Sequence, residues 1–504
     1  MADVDPSFLA LPLQRLAQVA LGRARDFGVT HADFRLERNR LQHLSVRDGQ
    51  LEGAQDSEDL GFAVRVLLDG AWGFASGVGL TDDEAVRVAE TAVTVARVAA
   101  KMTTVPVQLA PEPVHRDVTW VSAYDVNPLD VPLADKVALL GGWTRELVAG
   151  GADHAAGMLQ QVQENKFYAD LAGSSITQQR VWLEPVLEAY ASDPATGAFD
   201  SMASTCPPFG AGWEVLTDGS WDFDAERAEL PGLLRAKLAA PSVDPGRYDL
   251  VIDANNLMLT IHESVGHATE LDRALGYEAS YAGTSFATPD HLGTLQYGSP
   301  AMHVTGDRTA TRGLATVGYD DEGVEGQSWD IVRDGVLVGY QLDRSMAHTH
   351  GAELNGGRSN GCAYADSPGH VPIQRMANVS LQPDPDGPDT AGLIGRVERG
   401  IHVVGHKSWS IDMQRYNFQF TGQRFYAIED GELKGQLRDV AYQATTTDFW
   451  GSLEAVGGPQ TYVLGGVLNC GKAQPGQSAP VSHGTPSALF RDVNVLNTSE
   501  EGTA

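Results

Sequence analysis

Two histidines bracket a glutamate in the run Ile261-His262-Glu263-Ser264-Val265-Gly266-His267-Ala268. Neutral imidazoles are common ligands of transition metals, and an adjacent carboxylate can take a proton from a metal-bound water. Spacing decides whether the pair can act together. In the familiar zinc-peptidase pattern the histidines stand four apart and leave the helix on one face. Here they stand five apart. On a regular α-helix, five steps turn the second side chain roughly 140° past the first, too far for a shared ion. One π-turn, closed by an i→i+5 hydrogen bond, would realign them, and such turns favour functional sites. Gly266 can ease that distortion or end the helix. The competing reading is structural, with His262 in an ordinary polar contact and His267 near a helix end.

The elements that must position this run can be read upstream of it. Tyr248–Asp253 is a hydrophobic strand leading into Asn255, a good N-cap. In the helix that follows, Leu257, Ile261, Val265 and Ala268 form one apolar face, and His262 and Glu263 lie off it. Further upstream, helices are expected at 10–28, after the capping box Thr81/Glu84, at 133–149 and at 222–239. Strands are expected at 32–44, 60–68, 158–169 and 174–191. Asp48-Gly49, Asp69-Gly70, Asp334-Gly335 and Asp430-Gly431 are turn signals between strands. The segment 106–131, with four prolines, reads as a linker or long connection. After about residue 300 helical periodicity is scarce and short alternating segments dominate. The expectation is an α+β protein, with an N-terminal α/β half and a β-rich C-terminal domain carrying the metal-binding helix. The expected domains are 1–105, 106–241 and 242–504.

Composition excludes several classes. With 504 residues, 42% of them hydrophobic, the chain can bury a large core. Its 66 acidic side chains against 36 basic ones give a net charge of −30, which argues against nucleic-acid binding and against an anionic membrane surface. No stretch approaches the ~20 apolar residues of a membrane span. The acidic start, Ala2-Asp3-Val4-Asp5, shows no secretory signal. Cys206, Cys362 and Cys470 are too few for a disulfide framework, so a cytoplasmic location is expected. In that compartment a lone Cys is a ligand, a nucleophile or plain core.

Further motifs accompany the histidine run. Arg312-Gly313 and Tyr319-Asp320-Asp321-Glu322-Gly323 follow it, then Asn355-Gly356-Gly357-Arg358, then Asn469-Cys470-Gly471-Lys472 with Gly476-Gln477. Taken with His262-Glu263-x-x-x-His267, this set resembles the TldD/PmbA family of bacterial metallopeptidases, in particular its TldD-like subunit. The likeness is good over 245–495 and motif-poor over 30–240. The resemblance implies a zinc ion held by His262, His267 and Cys470, with Glu263 catalytic. Two imidazoles and a thiolate leave a fourth position for water, the pattern of a catalytic zinc. It also implies hydrolysis of unfolded or extended peptides, which could bind by adding a strand to a sheet edge. The implied partner is a related subunit lacking the metal motif, in a heterodimer; a homodimer is the alternative. This chain departs from the family in the residues between Cys470 and Gln477, which leaves the roles of Lys472 and Gln477 open, and in the region 277–303.

Two rival functions follow from the sequence. The first is a non-catalytic peptide-binding or modulatory protein with a structural zinc. The second rests on Gly283-Thr284-Ser285-Phe286-Ala287-Thr288-Pro289, which resembles the nucleophile segment of subtilisin-like proteases. Those enzymes need Asp, His and Ser in that chain order, and His348, His350 and His483 all follow Ser285. Arg358 is read as a carboxylate holder or as half of an ion pair. Trp409, Tyr416, Phe418, Phe420 and Phe425 are read as core.

Overall fold

The computed structural model describes residues 3–499. Two helices, α1 (Pro6–Leu9) and α2 (Leu13–Asp26), lead into the meander β1 (His31–Arg47), β2 (Gln50–Leu68) and β3 (Ala71–Gly77), followed by α3 (Asp82–Ala100). Then come β4 (Val118–Val121), α4 (Leu133–Ala149), β5 (His154–Asp170), β6 (Ser175–Ser192), β7 (Phe199–Ala203) and α5 (Phe223–Leu238). The strands form one sheet in the order β3-β2-β1-β5-β6-β4, with β7 also on β6. Thr81 caps α3 by accepting a hydrogen bond from the Glu84 N–H, as the capping box predicts.

The boundary expected between residues 105 and 106 runs through this sheet. β1 pairs with β5 from Asp33↔Asp170 to Arg47↔Ala156. Alternation marks a strand and its buried face but carries no record of which distant strand is its partner. Nor is the proline-rich stretch a free linker. Val107 N–H donates to Gly70 O, Ala110 N–H donates to Arg344 O, and β4 pairs with β6.

β8 (Gly246–Ile252) opens the C-terminal half and runs into α6 (Ala254–Ile261) and, later, α7 (Leu271–Ala274). β9 (Val304–Asp307), β10 (Ser328–Arg333) and β11 (Val336–Leu337) belong to a small sheet. The helix α8 (Arg344–Leu354) was not foreseen; its residues carry little apolar periodicity, and Asp343 caps it by accepting from the Met346 N–H. β12 (Ala363–Tyr364) pairs with β13 (Ile373–Gln374), and β14 (Asn378–Leu381) pairs with β9. β15 (Arg399–Ile411) runs parallel to β8 and antiparallel to β16 (Asn417–Glu429), which carries β17 (Glu432–Leu437). β18 (Val440–Thr445) joins β16, β19 (Leu453–Val456) lies further along, and β20 (Val463–Lys472) and β21 (Gln477–Thr485) form a separate hairpin. β22 (Ala488–Asn497) pairs with β8, β18 and β19. The pairings β15–β8–β22–β18–β16–β15 close a ring of five strands. Its aromatic core includes Phe418, Phe420, Tyr442, Phe449, Trp450 and Phe490. Trp409, expected in the core, is instead 52% exposed.

The four Asp-Gly pairs read as turns between strands, at 48–49, 69–70, 334–335 and 430–431, have positive φ at both residues (49°/83°, 51°/75°, 51°/78° and 50°/77°), the conformation that two-residue hairpins with native strand twist require. Among the described residues, no helix is long and apolar enough to cross a membrane.

A buried charge network joins the two halves. Arg65 on β2 bonds Asp33 at 2.8 Å and Glu322 at 2.9 Å, and Lys166 on β5 bonds Asp321 at 2.8 Å. The Tyr319–Gly323 motif therefore clamps the N-terminal sheet rather than facing the histidines. Removing Arg65 would strand two buried carboxylates. We expect Arg65→Ala to cost about 3–5 kcal/mol, read as a fall in the urea midpoint.

Candidate metal centre

The helix carrying the histidines changes pitch where they begin. α6 ends at Ile261, and the His267 N–H then donates to His262 O, closing a π-turn over His262–Gly266. Carbonyls in and just after the turn find partners outside the helical ladder. Ser264 O accepts from Tyr297 Oη at 2.5 Å, Gly266 O from Gln341 Nε2 at 2.7 Å and Ala268 O from Ser285 Oγ at 2.6 Å. Met376 presses on the turn, and a Cβ on Gly266 would lie 2.5 Å from Met376 Sδ. The residue at the N-cap is Asp253 rather than Asn255, which falls inside the first turn of α6.

Cys470 arrives on β20, which pairs with β21 through a bulge between Val467 and Cys470. A bulge of this kind re-aims a side chain. The result is convergence: the ligand atoms of His262, His267 and Cys470 all lie within 4.8 Å of one another. Cys470 Sγ is 3.5 Å from His267 Nε2, and the two imidazole centroids are 4.7 Å apart. All three residues are buried.

Hydrogen bonds assign the tautomers. His483 Nδ1 donates to Val379 O at 2.7 Å, so its Nε2 is an acceptor. His262 Nδ1, 2.7 Å from that Nε2, must donate, leaving its own Nε2 lone pair for the cluster. His267 Nδ1 donates to Glu270 Oε2 at 2.9 Å, which leaves Nε2 as the nitrogen that meets the Cys470 sulfur. A carboxylate or other acceptor behind a ligating imidazole is the usual arrangement in metal sites. Burial pushes the His262 and His483 imidazoles below the ordinary histidine value, so both are neutral. Burial raises the Cys470 thiol, but His267 and Arg375 outweigh it and the thiol lies below the usual cysteine value. By contrast, burial drives Cys362 up to about 12 and raises Cys206. Two imidazole lone pairs and an easily ionised thiol suit a transition metal with one position left open. We expect His483→Ala to weaken metal binding by about 10–100-fold, measured by competition with a chromogenic chelator.

Glu263 is buried beside the cluster, and its Oε2 accepts from Arg415 Nη1 at 2.7 Å. Burial raises this carboxyl, but His262, His267 and Arg415 hold it below the ordinary glutamate value. Trp409 stands beside it. The turn that carries Arg415 is stitched to residues 283–286, with Thr284 N–H donating to Met413 O at 2.7 Å and Phe286 N–H to Gln414 O at 3.0 Å. Gly283 permits this crossing: its φ is +90°, and a Cβ there would lie 2.0 Å from Met413 O. Tyr277, Tyr281, Trp409 and Met413, on these segments, are all more than half exposed.

The remaining candidates lie elsewhere or do other things. Ser285 is buried, donates to Ala268 O and accepts from the Ala287 N–H, and so supports the helix end. Among the described residues no histidine bonds it, which removes the basis for a serine nucleophile. Arg358 reaches Glu112 across 3.5 Å, and Gln477 Nε2 donates to Val371 O. Lys472, fully buried, bonds Glu270 at 3.2 Å and Asp272 at 2.7 Å, placing a cation behind the carboxylate that orients His267. Sequence reasoning missed Glu270, His483 and Arg415 as neighbours of the site. Glu270 follows His267 by one helical turn, and His483 sits on the strand returning beside Cys470. Arg415 gave no signal, since it lies in a hairpin turn.

Comparison with known proteins defines the class as metallopeptidases. Residues 245–497 match the PmbA/TldA metallopeptidase C-terminal domain, and residues 32–96 match domain 1 of the same family. A metalloprotease of Methanothermobacter thermautotrophicus is 29% identical over 482 residues, covering 93% of this chain and 96% of the relative. Two solved structures share the fold. One, from Thermotoga maritima and described as a candidate modulator of a DNA gyrase, has a TM-score of 0.73 at 14% identity and covers 96% of this chain and 100% of that one. The other, TldE from Thermococcus kodakarensis, has a TM-score of 0.69 at 15% identity and covers 95% and 99%. The chain belongs to the PmbA/TldD family and is a metallopeptidase.

Proposed function

We propose that this metallopeptidase is a zinc enzyme that hydrolyses unfolded or extended peptides, with His262, His267 and Cys470 as ligands and Glu263 as general base. The observation that carries this reading is the convergence of one ring nitrogen each from His262 and His267 and the Cys470 sulfur within 4.8 Å of one another, beside a buried carboxylate. The mixed imidazole and thiolate set suits zinc. When bound, the metal acidifies a water and polarises the peptide carbonyl. The protein does the rest. Glu270 and His483 hold the two imidazoles in the ligating tautomer. Glu263, ionised at neutral pH, receives the proton of the attacking water and returns it to the leaving amine. Tyr277, Tyr281, Trp409 and Met413 offer apolar surface to peptide side chains, and an extended backbone can add to a sheet edge.

Three free cysteines fit a cytoplasmic location. A heterodimer with a related, motif-lacking subunit encloses the cleft in this reading; the likeness to TldE is consistent with such a partner. The structural-zinc alternative would need a fourth protein ligand, and three ligand groups converge among the described residues. The test is metal analysis and cleavage of an unfolded peptide, by the protein alone and with its partner subunit. About one zinc per chain with cleavage supports the proposal. Bound zinc without cleavage in either form favours the binding protein.

A further inference from the structure

Hydrolysis at this site needs a group to meet the charge on the substrate oxygen, besides whatever the metal provides. We propose that Arg415 is a second catalytic residue, donating hydrogen bonds to the scissile carbonyl oxygen as it becomes an oxyanion. This rests on the zinc-peptidase reading above.

The bookkeeping of nearby cations singles it out. Arg273, Arg375 and Lys472 are each at most 2% exposed. Arg273 bonds Glu270 and Ala282 O, Arg375 bonds Cys470 O and Gln477 O, and Lys472 bonds Glu270 and Asp272. Their hydrogen bonds go to the acidic group behind His267 or to backbone carbonyls. Unpartnered guanidinium nitrogens do not separate them, since Arg273 Nη2 and Arg375 Nε lack partners as Arg415 Nε does. Arg415 differs in place: its side chain is 13% exposed, Nη1 touches Glu263, and Nη2 makes only a long 3.4 Å contact to Ala282 O. A guanidinium carries five N–H groups, so donors remain to be used.

Position follows from the base. Glu263 can act only within hydrogen-bond reach of the attacking oxygen. The carbonyl oxygen is bonded to the same carbon that this oxygen attacks. A guanidinium already bonded to Glu263 is therefore within reach of both. In the step, the water oxygen adds to the carbonyl carbon and its proton passes to Glu263. The carbonyl π pair moves onto the carbonyl oxygen, in front of the spare Arg415 N–H groups. On collapse that pair returns, the C–N bond breaks, and the leaving nitrogen takes the proton from Glu263.

The backbone is built for such a role. Arg415 has φ +62°, uncommon for a residue with a Cβ and sustained only where neighbours over-determine it. Asp412 accepts from the N–H groups of Gln414 and Tyr416, Thr446 Oγ1 donates to Arg415 O, and residues 284 and 286 bond the turn from the other side. A donor fixed before the charge appears is the arrangement that stabilises a transition state most.

The experiment compares wild type, Arg415→Ala, Arg415→Lys, Glu263→Gln and the Glu263→Gln/Arg415→Ala double variant, each zinc-loaded and with the partner subunit. Bound zinc, kcat, KM and affinity for a phosphinic peptide, a tetrahedral anionic analogue, are measured. Arg415→Ala is expected to keep zinc and KM and to lose about 10²–10³ in kcat. Phosphinate affinity should fall with it, and should fall again between Glu263→Gln and the double variant, while affinity for the uncleaved peptide stays level. Arg415→Lys should recover part of the loss. Unchanged phosphinate affinity in the Glu263→Gln background overturns the proposal, because Arg415 would then act only by holding Glu263. Equal losses for phosphinate and uncleaved peptide overturn it too, as ground-state binding. Zinc-free or inactive wild type marks failure of the underlying reading instead.

Discussion

Glu263→Gln is expected to lower peptide turnover by about 10²–10⁴-fold while leaving the metal bound. The amide keeps the shape of the side chain and can still accept from Arg415 Nη1, so the local packing survives. It cannot take a proton from water. Glu263 is also outside the converging set of His262, His267 and Cys470, so metal occupancy should not depend on it. Metal analysis and steady-state kinetics on the same preparation decide the matter. Turnover within tenfold of wild type would remove Glu263 from the proposed mechanism, and loss of metal together with turnover would make it a ligand rather than a base.

Cys470→Ala is expected to abolish stable metal binding and, with it, activity. The reasons are chemical and geometric. Cys470 is the one cysteine whose thiol lies below its ordinary value, and its sulfur sits 3.5 Å from His267 Nε2. Two neutral imidazoles alone are a poor cage for zinc, whereas a thiolate adds the charge. Stability supplies an independent readout. At a free metal concentration one hundred times the Kd, binding stabilises the native state by about 2.7 kcal/mol. A chelator should therefore lower the Tm of wild type and leave that of Cys470→Ala unchanged. Cys362→Ala, at a thiol pushed up to about 12 by burial, is the control and should bind metal normally. Stoichiometric zinc retained by Cys470→Ala would refute the assigned ligand set.

Several features could be read from sequence because they are local. The four Asp-Gly turns need only two residues with positive φ, and sequence alone supplies such residues. The Thr81 cap and the paired strands after Asp48-Gly49 are equally short-range. The five-residue histidine spacing pointed to a helix defect, an i→i+5 turn or a break at Gly266, and the i→i+5 turn is present.

Other features escaped because the signal lies in no single segment. The N-terminal sheet joins β1 to β5 across more than a hundred residues, and nothing in either strand names the other. Trp409 alternates like a core residue yet stands exposed, on the part of β15 that runs on beyond its pairing with β8, which ends at Val403. Ser285 read as a possible nucleophile and turned out to satisfy a carbonyl at the helix end.

By itself, then, the sequence determined the chemical inventory and the local turns: two histidines and a glutamate on one short stretch, a single cysteine in a glycine-rich strand, and a chain too acidic to hold phosphate backbones. Tertiary structure decided what that inventory faces. It brought Cys470 to His267 from 203 residues away, set His483 and Glu270 behind the imidazoles, and hung Arg415 over Glu263. Hydrogen bonds and coordination act over about 3 Å, so they are specified only once sheet closure has fixed which distant strands are neighbours.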